Sequence, residues 1–458
     1  MKRYSKYKDS GVEWLGEIPE HWEVKRLKRY LKQGKAGIKI GPFGSAIKSN
    51  IIKSKIELKN QKYKVYGQEQ VIGNNFNLGD KYIEQENFEQ LSIYQITPGD
   101  IVITMMGTTG KAMVVPQGIE IGIMDSHLIR ISPIDNEIIN KFLALLINNS
   151  HYVYTQIKAN SKGSIMEGLN SSIIKSLFII KPPLCEQKTI ACFIDRKLVQ
   201  IDQFISNKQR FIELLKEQKR AIVNRAVTKG LNPNAPMKPS GIEWLGDIPE
   251  GWEVKRVKYI TQILRGKFTH RPRNDPRMYD GQYPFIQTGD VTSAQKYIKE
   301  YHQTLSEEGF AVSKQFPKGT LVMTIAANIG DIAILDFEAC FPDSIVGFVP
   351  KDFIIIDYLY NLFVAMRQEL FRVAPINTQL NLNVDRIGVL WAVVPAIQEQ
   401  VEIILFIETE SAKINLAITK AEKEIELIQE YRTTLISDAV TGKIDVREFT
   451  HNLRSPTS

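Results

Sequence analysis

Residues 11–26 read GVEWLGEIPEHWEVKR, and residues 241–256 read GIEWLGDIPEGWEVKR. Gly11, Trp14, Leu15, Gly16, Ile18, Pro19, Glu20 and Trp22 return 230 positions later as Gly241, Trp244, Leu245, Gly246, Ile248, Pro249, Glu250 and Trp252. PPLCEQ (182–187) is echoed by PAIQEQ (395–400) at an offset of 213, and GDIVITMMGTTG (99–110) by GTLVMTIAANIG (319–330) at 220. Three echoes in one order define tandem copies of a module of about 220 residues. That period is far above the roughly 20–50 residues of solenoids, so a whole domain has been duplicated.

Each copy divides into two parts. Residues 11–180 and 241–394 alternate short β-type runs (100–105, 321–325, 176–180, 388–394) with Gly/Asn/Pro punctuation, and helical stretches are expected at 138–157 and 356–373. By contrast, residues 186–228 and 399–441 contain neither Pro nor Gly. Ile194, Leu198, Ile201, Ile205, Leu215 and Ile222 recur at heptad spacing in the first, and Ile407, Ile414, Ile418, Ile425, Ile428 and Leu435 in the second. Such a stripe predicts a long helix that needs a partner, and each copy supplies one to the other. About 40 residues at ~1.5 Å per residue make a rod of roughly 60 Å.

The expected fold class is α+β: two tandem domains, each followed by a long helix, with the two helices paired. The expected boundaries are 1–185 for the first domain, 186–228 for its helix and 229–240 for a linker. The second domain is placed at 241–398, its helix at 399–441 and a tail at 442–458.

Net charge is +8, and its placement matters more than its size. Residues 1–64 hold 17 Lys/Arg against 6 Asp/Glu, and residues 253–277 hold 8 against 2. Basic excess at the start of each copy suits a polyanion, because neutralising phosphates drives association. Cys185, Cys192 and Cys340 form no metal-ligand spacing and no disulfide framework, which fits a reducing, cytoplasmic setting. The N-terminal decapeptide has no apolar core of a signal peptide, and the longest apolar run, about 387–397, is too short to span a bilayer.

No catalytic constellation stands out. GTTGKA (107–112) lacks the glycine spacing and the Ser/Thr of a phosphate loop, its counterpart AANIGD (326–331) has no lysine, and a tight turn is the better reading. KPPL (181–184) lacks the polar first and aromatic last residues of an amino-methylation motif, and the six histidines show no helical metal spacing.

The loops do carry recognition chemistry. In copy one they hold Ser45, Lys48, Asn74, Asn75, Thr108, Thr109, Lys111, Lys158, Asn160, Ser161 and Lys162. In copy two they hold Arg265, Lys267, His270, Arg271, Arg273, Gln287, Asn328, Asn377 and Gln379. Arg and Lys suit guanine edges and phosphates, while Asn and Gln suit adenine edges. The frames repeat but the loops differ, as two readers of different DNA sequences would.

The paired motifs GVEWLGEIPEHWEVKRLK and GIEWLGDIPEGWEVKRVK, the loops GPFGS and GKFTHRPRND, and the EQ-headed helices ending RAVTKGL and DAVTGKI together resemble the specificity subunit of type I restriction–modification enzymes. That resemblance covers essentially the whole chain. It implies two target-recognition domains reading the halves of a bipartite, asymmetric site in double-stranded DNA, with the two helices paired as an antiparallel coiled coil that sets their separation. It also implies that this chain is non-catalytic and binds no cofactor or metal. S-adenosylmethionine, ATP and magnesium would sit on partners: modification (methyltransferase) subunits and restriction (translocase and nuclease) subunits. A stand-alone two-headed DNA-binding protein is the alternative.

Overall fold

The computed structural model describes residues 2–42, 47, 51–57, 62–161, 169–326, 329–372 and 384–449. Two helices dominate it, α1 (Leu184–Lys229) and α2 (Ile397–Val440). Each starts on the residue or two following a Pro, and α1 stops where Gly230 takes a positive φ of 72° that favours glycine.

The chain forms two compact units. Unit 1 comprises residues 1–207 and 424–458, and unit 2 comprises residues 208–423. Each unit therefore owns part of both long helices, whereas the sequence reading assigned each helix whole to one segment. A coiled coil causes the difference: a helix with an apolar stripe belongs to whatever covers the stripe, and here that changes along its length.

In unit 1 the buried Ile194 and Ile201 of α1 share one core with Leu435, Ile436, Ala439 and Val440 of α2. Arg432 donates to Asp202 at 2.9 Å. In unit 2, Val223, Ala226 and Val227 of α1 share a core with Ile403 and Ile407 of α2, and Lys219 donates to Asn415 at 3.1 Å. Residue numbers add to 634 in each pair, the relation expected of antiparallel helices within each unit. Each pair is also the other's counterpart at the 213-residue offset, as a self-complementary interface requires. Among the remaining stripe positions Ile414 is buried, and Leu198, Ile205, Leu215, Ile222, Ile418, Ile425 and Ile428 are half-buried.

The duplicated strands pair identically. Unit 1 orders Ile38–Ile40, Leu128–Ile131, Ile101–Thr104 and Ala112–Val114 as one antiparallel sheet. Unit 2 orders Thr261–Arg265, Ile345–Pro350, Leu321–Thr324 and Ile332–Leu335 the same way, with Tyr297–Ile298 added in parallel at the edge. The repeated EVKR segments pair with the strands before each long helix: Arg26 opposes Phe178, and Arg256 opposes Trp391. Those strands begin later than the β-type runs suggested, because Ser171–Ser176 and Val384–Gly388 are short helices. Asn170 nucleates the first by accepting from the backbone of Ser172 and Ile173. The stretch expected at 138–157 breaks at Ser150, whose backbone is extended, and the one at 356–373 breaks at Met366.

The echoed residues explain themselves in three dimensions. Trp22 Nε1 donates to Glu186 at 3.0 Å, and Trp252 Nε1 donates to Glu399 at 2.8 Å. The Gln after each Glu is fully buried: Gln187 accepts from Ile139 N at 2.8 Å, and Gln400 from Ile355 N at 2.9 Å. Gln400 also donates to the carbonyls of Phe353 and Pro395 at 2.9 and 3.0 Å. Gln400→Ala strands three backbone groups and is expected to cost about 2–4 kcal/mol, measurable as a lowered denaturation midpoint of the whole chain.

Candidate nucleic-acid interface

In unit 1 several loops converge at one end of the four-stranded sheet. Gly41 lies against the backbone of Asp125 and Ser126, where a Cβ would meet the Asp125 carbonyl. Met105 N donates to His127 O at 2.9 Å, and Leu169 N to Met105 O at 3.1 Å. Between the strands flanking it, residues 105–111 close as a tight turn: Gly110 N donates to Thr104 O and Thr104 N to Lys111 O, both at 2.9 Å. Thr108 and Lys111 are exposed there, and Thr109 is half-buried. Gly110 also sits beside Ile157 of the helix His151–Ser161, which carries exposed Lys158 and Asn160 to the same end.

Asn74 and Asn75 are exposed as well. They close the far end of the short helix Gln68–Ile72, where Asn75 N donates to Gln70 O at 2.9 Å. Their loop hangs on a buried lysine: Lys64 Nζ donates to Phe76 O at 3.0 Å and Asn77 O at 3.2 Å, and burial lowers its pKa. Ser45, Lys48, Lys162, Asn328, Asn377, Gln379 and the Ser161 side chain lie outside the described residues.

Unit 2 repeats the convergence with different chemistry. Lys267 N donates to Phe341 O at 3.0 Å, and Ile325 N to Ser344 O at 2.9 Å, which brings the basic loop to the sheet end. Arg265, Lys267, Arg271 and Arg273 are exposed. Arg265 Nε donates to Asp343 O at 3.1 Å, and Arg273 bonds the Asp343 carboxylate at 2.6 Å. Arg271 is braced by its own loop, donating to the carbonyls of Phe268 and His270. His270 lies 2.9 Å from Asp275. The guanidinium and backbone N–H of Arg277, with His270, hold the Asp275 carboxyl well below the usual range. Gln287 donates its side chain to Gln303 at 2.8 Å and its backbone to Asp290 at 2.7 Å.

The loop is thus less cationic than its sequence. Arg273 is matched by Asp343 and Arg277 by Asp275, which orient their guanidinium groups. Asp343 is not among the residues expected from the sequence. The signal was there, since DSH (125–127) and DSI (343–345) repeat at an offset of 218. The hairpin turn differs too: unit 1 presents Lys111, and unit 2 presents Asp331, which is bonded to Arg367 at 2.8 Å.

Among the described residues, no group of three His, Cys, Asp or Glu could hold a metal ion, and no helix is long and apolar enough to cross a membrane.

A family model for the type I restriction modification DNA specificity domain matches residues 35–214 and again 249–427, so the chain belongs to that family. A putative type I restriction enzyme MjaX specificity subunit from Methanocaldococcus jannaschii is 27% identical over 351 residues, 73% of each chain. The EcoBI specificity subunit of Escherichia coli is 20% identical over 298 residues, 63% of each. Among solved structures, a chain from a study of complex assembly and conformational transition in the type I R-M system superposes with a TM-score of 0.67. It shares 14% identity and covers 93% of this chain and 99% of that one. The HsdS subunit of Thermoanaerobacter tengcongensis gives 0.55 at 13% identity, covering 93% and 98%. Both share this fold.

Proposed function

We propose that this chain is the DNA-specificity subunit of a type I restriction–modification complex, reading a bipartite, asymmetric site and directing adenine methylation or restriction by partner subunits. The observation that carries the reading is the pair of family matches, each spanning a sheet end where loops of different chemistry converge on an identical frame. Unit 1 offers Thr108, Thr109, Lys111, Lys158 and Asn160 to one half-site, and unit 2 offers Arg265, Lys267, Arg271 and Arg273 to the other. Side chains braced at loop ends suit direct readout of base edges.

The role is recognition rather than catalysis, and it is exercised in the cytoplasm. S-adenosylmethionine would be held by modification subunits, and ATP and magnesium by restriction subunits. The long helices have room for such partners: Leu214 and Leu427, counterparts at offset 213, are 50% and 51% exposed on faces turned away from the coil.

Mapping methylated adenines genome-wide, in cells with and without this chain, tests the proposal. A single gapped motif should lose its methylation when the chain is removed, and a methyltransferase subunit should co-purify with it. An unchanged methylome in cells that carry that methyltransferase would refute the reading.

A further inference from the structure

The repeat has one ionic contact whose polarity is reversed. In unit 1, Lys141 on the helix Asn140–Asn149 bonds Asp195 of α1 at 2.6 Å. The counterpart of Asp195 at offset 213 is Glu408 of α2. The matched bonds from Ile139 to Gln187 and from Ile355 to Gln400 align the recognition-domain helices at offset 216, which places Asp357 at the station of Lys141. In unit 2 two acids would therefore face each other. They do not meet bare, because Lys296 bonds Asp357 at 2.6 Å and Glu408 at 2.8 Å.

Lys296 comes from a third element. Its carbonyl accepts from Ile334 N at 2.8 Å, on the sheet of the second domain, and strand Tyr297–Ile298 follows it. Its ammonium lies 5.4 Å from the Tyr297 ring and 5.9 Å from that of Tyr360, and Tyr297 OH donates to Asp357. Burial alone would lower its pKa, but the bonds to Asp357 and Glu408 outweigh that and hold it above the ordinary lysine value.

We propose that Lys296 is a positioning residue that locks the second recognition domain onto α2, and that the Lys141–Asp195 bridge does the same for the first domain on α1. The role in DNA reading rests on the function proposed above, while the clasp itself does not. Removing Lys296 leaves two carboxylates facing each other beside the contacts of Trp252 and Gln400, so the fit of the domain on its helix should loosen locally and the half-site contacts lose part of their fixed geometry.

The test uses the full chain with Cys185 and Cys192 changed to Ser and spin labels at residues 299 and 411. Without DNA, K296M should broaden the distance distribution. K296R, and K296M combined with D357K, which restores the polarity of unit 1, should narrow it again. On DNA, K296M should bind the complete site roughly tenfold more weakly, with added tolerance for altered spacers and unchanged readout of the first half-site; both rescues should restore binding. An unchanged distance distribution in K296M overturns the proposal. So does an equal loss of binding to all DNA with a shallower salt dependence, which would make Lys296 a phosphate contact. If the unmodified chain shows no sequence preference, the function reading fails, yet the label distances still decide the clasp.

Discussion

Lengthening both long helices by one heptad, after Lys208 in α1 and after Ile425 in α2, is expected to shift the preferred spacer by about three base pairs and leave both half-sites unchanged. The chain passes between its two units only at residues 207–208 and 423–424, both inside the helices. Seven residues at ~1.5 Å each add about 10 Å, close to three base-pair steps of ~3.4 Å. A heptad keeps the buried stripe in phase, whereas a single turn of four residues rotates it. The register shows why both helices must change. Residue numbers in each bonded pair add to 634, and the insertions fall opposite each other, so the Asp202–Arg432 and Lys219–Asn415 contacts survive. A one-turn insertion in α1 alone should also alter the spacer, but with lost stability. Methylation mapping or selection from a randomised-spacer library reads the outcome, and an unchanged spacer in a folded variant defeats the model.

Replacing Arg271 and Arg273 with Ala should lower specific binding about 10- to 100-fold and relax sequence preference in one half-site only. A bidentate arginine contributes about 1–3 kcal/mol of discrimination against a wrong base. The two residues should not act alike. Arg271 is held by its own loop's carbonyls, so its loss removes a contact without disturbing a neighbour. Arg273 is paired with Asp343, so R273A also releases a carboxylate at the interface, where it repels phosphate. Asp343→Asn added to R273A should recover part of that extra loss. Competition binding on DNAs mutated in each half separates the cases. Loss that is equal on every sequence, with a salt slope lowered by about one per residue, would mean phosphate contacts alone.

How much was legible in the sequence varies with the range of the interaction. The helix stripe was readable because 3.6-residue periodicity is written in neighbours along the chain. Ile194, Ile201, Ile407, Ile414 and Leu435 of that stripe are buried, and its other positions are half-buried. The tight turns at GTTG and its counterpart were readable from their glycines, since Gly107, Gly110 and Gly330 all take positive φ. The loop residues were readable only as a set. Asn74 and Asn75 follow a short helix in a loop that Lys64 and Gln70 fix from inside the domain, through bonds that leave no periodic pattern in the chain.

The sequence by itself determined the duplication, the α+β domains, the two paired helices and the difference between the reading loops. Each follows from local patterns and from comparing the chain with itself. The tertiary structure decided who meets whom: Trp22 with Glu186 across 164 residues, the coil register, Arg273 with Asp343, and Lys296 between Asp357 and Glu408. Charge pairs have no periodicity, and any lysine can serve any carboxylate until folding brings one within ~4 Å. Only the packed chain makes that choice, and it made it differently in each half of the repeat.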